Sequence, residues 1–290
     1  MMIFDSTIKD ILTKKLSQLE TKFKGDVVFY YGEIHPAIIR VFRDLIEDLK
    51  SASKSKERLV IILNTPGGSA EVAEKLVDIT RKHYKEVYFV VPDVAMSAGT
   101  VFCMSGDKIF MDYSSSLGPI DPQVWNGKQW VPALGYLNKV EEFLEKARNN
   151  TLTKAEFLIL QNQDLAMLNQ CEQAKELTIT LLKKWLVEWK FKDWDKHETN
   201  PQKQGNPVTK EEKEERAEEI AAFLGDNKVW HSHGRMISME TLRREPLKLK
   251  IEDFSEDPSL HTLLRTYNDL LTEYIAKNDY RMFLHSKKFF

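Results

Sequence analysis

Between residues 58 and 83 the chain passes from one apolar pattern directly into another, and that change leaves few folds open. Residues 58–63, "RLVIIL", form a short apolar run rich in β-branched side chains, the pattern of a strand covered on both faces. Pro66, Gly67 and Gly68 break it, and the segment after Gly68 at once places Val72, Leu76 and Ile79 on one helical stripe. A doubly buried strand feeding an amphipathic helix is half of a parallel βαβ unit. The pattern recurs on both sides. "DVVFYYG" reads as a strand, followed by a helix that opens at Pro36 and continues through "IIRVFRDLIEDLK". "EVYFVVPDVAMSAGTVFCMSGDKIFMD" reads as strand, tight turn, short helix and strand. With an amphipathic helix over residues 5–24 leading in, the alternation predicts an α/β fold whose mainly parallel sheet has right-handed crossovers and ends near Asp112.

From Val131 onward the pattern is mostly helical, first "GYLNKVEEFLEKARNN" and then a long run from Thr153 to Lys190. Residues 192–208 are polar with two prolines and read as a linker or loop; "KEEKEERAEEIAAFL" reads as a charged helix with a solvated face. The expected organisation is a catalytic domain over 1–190, a loop over 191–208, and a helical extension over 209–290 that packs on the same domain. The 290 residues, 42% hydrophobic, suffice for a substantial core. A net charge of −2 offers no basic field, so nucleic acid is not an expected partner. Cys103 and Cys171 form no CxxC pair, so neither a disulfide framework nor a thiolate metal site is expected. The first twenty residues carry charges every few positions, and no run reaches about 18 apolar residues. The expectation is a cytoplasmic protein with no export signal and no membrane span.

The chemistry concentrates in two turns. "AMSAGT" sets Ser97 among small residues where the strand "VYFVV" gives way to a short helix beginning near Ala98. That junction suits a nucleophilic hydroxyl close to the free N–H groups of a helix start, and equally suits an N-cap serine. The carboxyl ends of neighbouring parallel strands share one edge, so the Pro66–Gly68 turn is expected to face Ser97. Glycine at 67 and 68 would let a bare N–H approach a substrate carbonyl, and the N–H groups of Gly68 and Ala98 would form an oxyanion hole. Gly67 and Gly99 are expected in the same substrate-binding set.

"LNTPGG", "AMSAGT" with Ser97 29 residues after Gly68, and "SSLGPIDPQ" together resemble the ClpP/crotonase superfamily, and within it the serine dehydrogenase proteinase family, relatives of signal peptide peptidase A. The resemblance is strongest over residues 59–124; "VWHSHGRMIS" resembles a late segment of the same family. It implies a ClpP/crotonase-like spiral of βαβ units and a serine hydrolase with Ser97 as nucleophile and Gly68 and Ala98 as oxyanion donors. It further implies homo-oligomers acting on peptide or unfolded protein substrates, and no cofactor. No GxGxxG fingerprint is present, so the dehydrogenase in the family's name carries no weight.

The proton acceptor is less plain. Clp-type proteases carry their histidine in the segment matching "SSLGPIDPQV", which has none here. Signal peptide peptidase relatives use a lysine with a pKa lowered by desolvation. Tyr136, Lys139, Phe143 and Lys146 share one helical stripe, with Lys139 between two rings and 42 residues after Ser97. Lys139 is the expected base and Lys146 the second choice, against a reading in which both amines reach solvent. His231 and His233 form an HxH pair that could bind a metal or supply a base; with no third ligand it is read as a turn before a helix, and Asp121 is read as structural between Pro119 and Pro122. The function expected is an intracellular serine peptidase with a Ser-Lys dyad. The alternatives are a crotonase-like acyl-CoA enzyme, which needs the oxyanion hole and no serine nucleophile, and an inactive assembly platform of the same fold.

Overall fold

A computed structural model describes residues 3–51, 56–198 and 202–288. Helix α1 (Ile3–Phe23) leads into β1 (Asp26–Gly32). The expected alternation follows as α2 (Ile38–Lys50), β2 (Arg58–Asn64), α3 (Ala70–His83), β3 (Glu86–Val90), β4 (Val94–Ala95), α4 (Ala98–Cys103) and β5 (Lys108–Met111). Next come β6 (Ser116–Leu117), a hairpin of β7 (Gln123–Trp125) and β8 (Trp130–Pro132), and the helices α5 (Ala133–Arg148), α6 (Lys154–Gln161) and α7 (Leu165–Trp185), the last extended by a π-helical turn. The remainder holds α8 (Lys210–Gly225), α9 (Asn227–Trp230), β9 (Ile237–Ser238), α10 (Met239–Arg243), β10 (Glu252–Asp253), α11 (Pro258–Lys277) and β11 (Met282–His285).

The central sheet runs β10-β5-β3-β2-β1-β11, with every pairing parallel except β11 on β1. Its strands are covered on both sides, which is why they read as unbroken apolar runs. Leu59, Ile61 and Leu63 of β2 face the core under α2, α3 and α4, while Val60 and Ile62 face α1 and α11 through Leu12, Leu16, Leu264 and Leu271. Each such side chain fully removed from water contributes about 1.5–3 kcal/mol. A second sheet, β4-β6-β9, branches off where β4 leaves β3. Among the described residues no helix is long and apolar enough to cross a membrane.

Two regions differ from the sequence reading. The stretch 209–290 does more than add helices, because β10 closes one edge of the central sheet and β11 the other. The described part of 191–208 is tied down: Lys196 bridges Pro207, His197 Nε2 lies 3.2 Å from Glu212 Oε2, and Trp194 packs edge-on against Phe191.

Helix α11 is bound to the sheet by charge as well as by apolar packing. Arg265 donates through Nε (3.0 Å) and Nη2 (2.6 Å) to Asp112 Oδ2, beside His261 Nε2 at 3.2 Å. Burial opposes ionisation of Asp112, but the hydrogen bonds from Arg265 and from the N–H and hydroxyl of Ser114 outweigh it and lower the pKa to about 2. A folded-state pKa below the unfolded value of about 3.9 gives stability that is present above that pH and lost as pH falls toward 2. Asp112→Asn is therefore expected to cost more than about 2 kcal/mol near neutral pH. In urea unfolding the gap between the two proteins should narrow as pH falls from about 4 to about 2; a gap independent of pH would contradict the assignment.

Candidate active site

Both turns singled out in the sequence leave the same end of the sheet, and they touch. Thr65 forms a parallel bridge with Ala95: its N–H donates to Val94 O (2.9 Å), and its carbonyl accepts from the Met96 N–H (3.0 Å). The Thr65 hydroxyl then accepts from the Gly67 N–H at 3.1 Å. Beyond it, Gly67 O accepts from the Ile34 N–H (2.7 Å) and the Ser69 N–H donates to Ile34 O (2.9 Å), so the double glycine is laid out like a strand against Ile34.

Neither glycine tolerates a side chain. Gly67 has φ +109°, and a Cβ there would lie 2.9 Å from Ser97 Cβ; Gly68 has φ +143°, and its Cβ would lie 2.3 Å from Ile34 O. The Gly68 amide points away from the Ile34 ladder and, among the described residues, donates to nothing. The same holds for the amide of Ala98, the first residue of α4. Of the other two glycines expected in the substrate-binding set, the Gly67 amide is taken by the Thr65 hydroxyl and the Gly99 amide by Met96 O at 2.7 Å, so neither amide is open. Gly99 serves packing instead, since a Cβ there would lie 2.4 Å from Thr65 Cγ2.

Ser97 sits at the start of α4 with φ +51° and ψ −115°, a conformation that costs a non-glycine residue of order 1–3 kcal/mol and concentrates at functional sites. An N-cap serine would satisfy a helix N–H, but the Ser97 side chain caps nothing and, among the described residues, makes no hydrogen bond. It lines a cleft of about 940 Å³ together with Gly68 and Ala98. The hairpin residues Trp125 and Trp130 and Leu177 of α7 form apolar walls.

His233, read from sequence as part of a turn, lines the same cleft. Its Nδ1 lies 2.8 Å from Oδ1 of Asp121, which is 2% exposed, and its Nε2 makes no hydrogen bond among the described residues. Asp121 also accepts from Gln123 Nε2 at 3.3 Å. The loop carrying Asp121 is fixed just before the aspartate, at Gly118 and Ile120. The Thr100 hydroxyl, in the helix after Ser97, donates to Gly118 O and accepts from the Gly118 N–H, each at 2.9 Å, and the Ile120 N–H donates to Leu224 O at 3.0 Å. The histidine turn follows α9, where Trp230 is buried and donates through Nε1 to Phe223 O at 2.9 Å.

The structure brings neither lysine of α5 to the cleft. Lys139 is 58% exposed, pairs with Glu142 at 2.8 Å, and lies 5.0 Å from the Phe143 ring centroid. Lys146 pairs with Glu156 (2.7 Å) and Glu142 (3.1 Å), and these bonds raise its pKa, the reverse of what a general base requires. His233 lies 112 residues from Asp121, so no local spacing announced the pair. The signal available was that both residues fall inside the two segments carrying the family resemblance.

Two uncharacterized proteins of Methanocaldococcus jannaschii are 33% identical over 114 residues and 32% identical over 92 residues, spans that cover 39% and 32% of this chain. The chain matches only 38% and 30% of the length of those relatives. Among solved structures, a variant of a membrane-bound stomatin-specific protease aligns with a TM-score of 0.33 and 22% identity, covering 42% of this chain and 61% of that one. Residues 38–218, more than half of the chain, match the family described as ClpP-like SDH-type serine proteinase, and the chain belongs to that family.

Proposed function

We propose that the chain is a serine peptidase in which Ser97 is the nucleophile, His233 the general base, Asp121 the residue that orients it, and the Gly68 and Ala98 amides the oxyanion donors. One observation carries the reading: a strained serine hydroxyl and two amides, all without partners among the described residues, share a cleft with a histidine already bonded to a buried aspartate. In this reading the Asp121 carboxylate takes the Nδ1–H of His233, leaving Nε2 as the proton acceptor. As a peptide carbonyl enters, Ser97 Oγ attacks its carbon and the hydroxyl proton passes to Nε2. The carbonyl oxygen becomes an oxyanion held by the two amides, each worth about 3–4 kcal/mol in such a transition state. The imidazolium, stabilised by Asp121, then protonates the leaving amine, and water resolves the acyl-enzyme by the same path. The apolar walls suit a polypeptide with a large apolar side chain beside the scissile bond.

The crotonase-like alternative has no use for a strained serine at the sheet edge, and an inactive platform has no use for amides kept without partners. A lysine base would need Lys139 or Lys146 to leave its carboxylate partners.

A fluorophosphonate probe separates these readings. Intact-mass analysis should find a single adduct on the wild-type chain, on Ser97, and none on Ser97→Ala. His233→Ala should slow labelling by about 10²–10⁴-fold, with Lys139→Ala close to wild type. The reverse pattern would assign the proton to the lysine, and absence of any adduct would refute the hydrolase. The double glycine offers a second check: Gly68→Ala should lose about 2 kcal/mol or more in urea unfolding, whereas Gly127→Ala, with nothing near its Cβ, should lose about 1 kcal/mol or less.

A further inference from the structure

Strands β2 and β3 pair regularly as far as Ile62 opposite Val90, and the next paired position is Thr65 opposite Ala95. Two residues therefore separate the two pairings on one strand and four on the other. The surplus of two falls at Val91-Pro92-Asp93, where Pro92 has no N–H to give and the Val91 N–H donates sideways to Phe110 O of β5 at 2.9 Å. This bulge decides which residue meets the double glycine. In unbroken register Ser97 would fall opposite Ser69; with the bulge it falls opposite Gly67, where the two backbones touch.

A bulge without ladder bonds to β2 needs another restraint on that side. Asp93 supplies it. Its Oδ2 accepts from Asn64 Nδ2 (2.9 Å) and Asn268 Nδ2 (2.8 Å), and its Oδ1 accepts from Arg265 Nη1 (3.1 Å). Asn64 is the last residue of β2, immediately before Thr65, so one carboxylate joins the ends of both strands from which the two turns leave. Asn268, 1% exposed, and Arg265 tie that junction to α11. The Asp93 carbonyl also accepts from the Ser116 N–H at 2.8 Å, joining the start of β6. None of these side chains lines the cleft.

We infer that Asp93 is a positioning residue for the reaction: its carboxylate, gripped by Asn64, Asn268 and Arg265, holds the two-residue bulge that sets the Ser97 hydroxyl and the Ala98 amide against the Gly68 amide. The inference rests on the serine-peptidase reading above. It differs from a merely stabilising ion pair in its consequence. Loss of the carboxylate should let the bulge relax by a fraction of a residue and misalign nucleophile and donors while the apolar core of the sheet stays intact.

The test is the fluorophosphonate reaction followed to saturation by intact mass, with far-UV circular dichroism and thermal melting on the same samples. Asp93→Ala should remain folded and label Ser97 about 100-fold more slowly at saturating probe, with the half-saturating probe concentration little changed, as expected of a misplaced reactive geometry. Asp93→Asn, which keeps the shape and one acceptor, should recover about tenfold of that loss. Asp112→Asn, which breaks the other partner of Arg265, should lower the melting temperature and leave the labelling rate near wild type. Should Asp93→Ala not fold, Asp93→Asn and Asn64→Ala decide the matter by the same rate. A folded Asp93 variant that labels within about twofold of wild type, or Asp93 and Asp112 variants whose rates fall together in proportion to stability, would overturn the inference. A wild-type chain that takes no label would instead overturn the serine-peptidase reading, and this one with it.

Discussion

Thr65 exchanges backbone hydrogen bonds with both Val94 and Met96, and that short parallel bridge sets the geometry of everything at the cleft. It puts the Gly67 backbone close enough to Ser97 that no side chain fits between them, and it leaves the amides of Gly68 and Ala98 without acceptors among the described residues. The arrangement is strained, with positive φ at Gly67, Gly68 and Ser97 in succession across the contact. Such strain persists only where the surroundings over-determine it. Here they do, because the strands behind it are buried on both faces by two separate apolar layers.

The proposed proton-transfer pair is assembled differently. Asp121 and His233 come from segments far apart in the chain, each fixed by its own hydrogen bonds before the two meet. Thr100 links the helix that follows Ser97 to the loop carrying Asp121, so three parts of the candidate site share one anchored neighbourhood. A base held this way is preorganised, which is where much of the rate enhancement of acyl-transfer enzymes resides.

What could be read from the residues divides along the same line. The βαβ alternation, β1 over Asp26–Gly32 and the pairing of the two turns were legible because periodicity, β-branching and glycine chemistry are local signals. The strands β10 and β11 were not. Two and four residues long, they owe their conformation to the sheet edges they pair with. On α5 the stripe of lysines and rings is present as a pattern, and Lys139 does lie by Phe143; its amine is at the surface, paired with Glu142 one turn away. The histidine and its aspartate were visible as residues and invisible as a pair, since only tertiary packing joins them. That the amides of Gly67 and Gly99, expected in the substrate-binding set, are engaged by Thr65 and Met96 is likewise a tertiary fact with no local signal.

In the proposed reaction one hydroxyl and two backbone amides converge on a single tetrahedral adduct. A crystal structure of the protein carrying a phosphonate on Ser97 tests it most directly. The account predicts the phosphoryl oxygen about 3 Å from the amide nitrogens of both Gly68 and Ala98, with His233 Nε2 within hydrogen-bonding distance of Ser97 Oγ. A phosphoryl oxygen turned to solvent, or a lysine amine in the place of the imidazole, would contradict it.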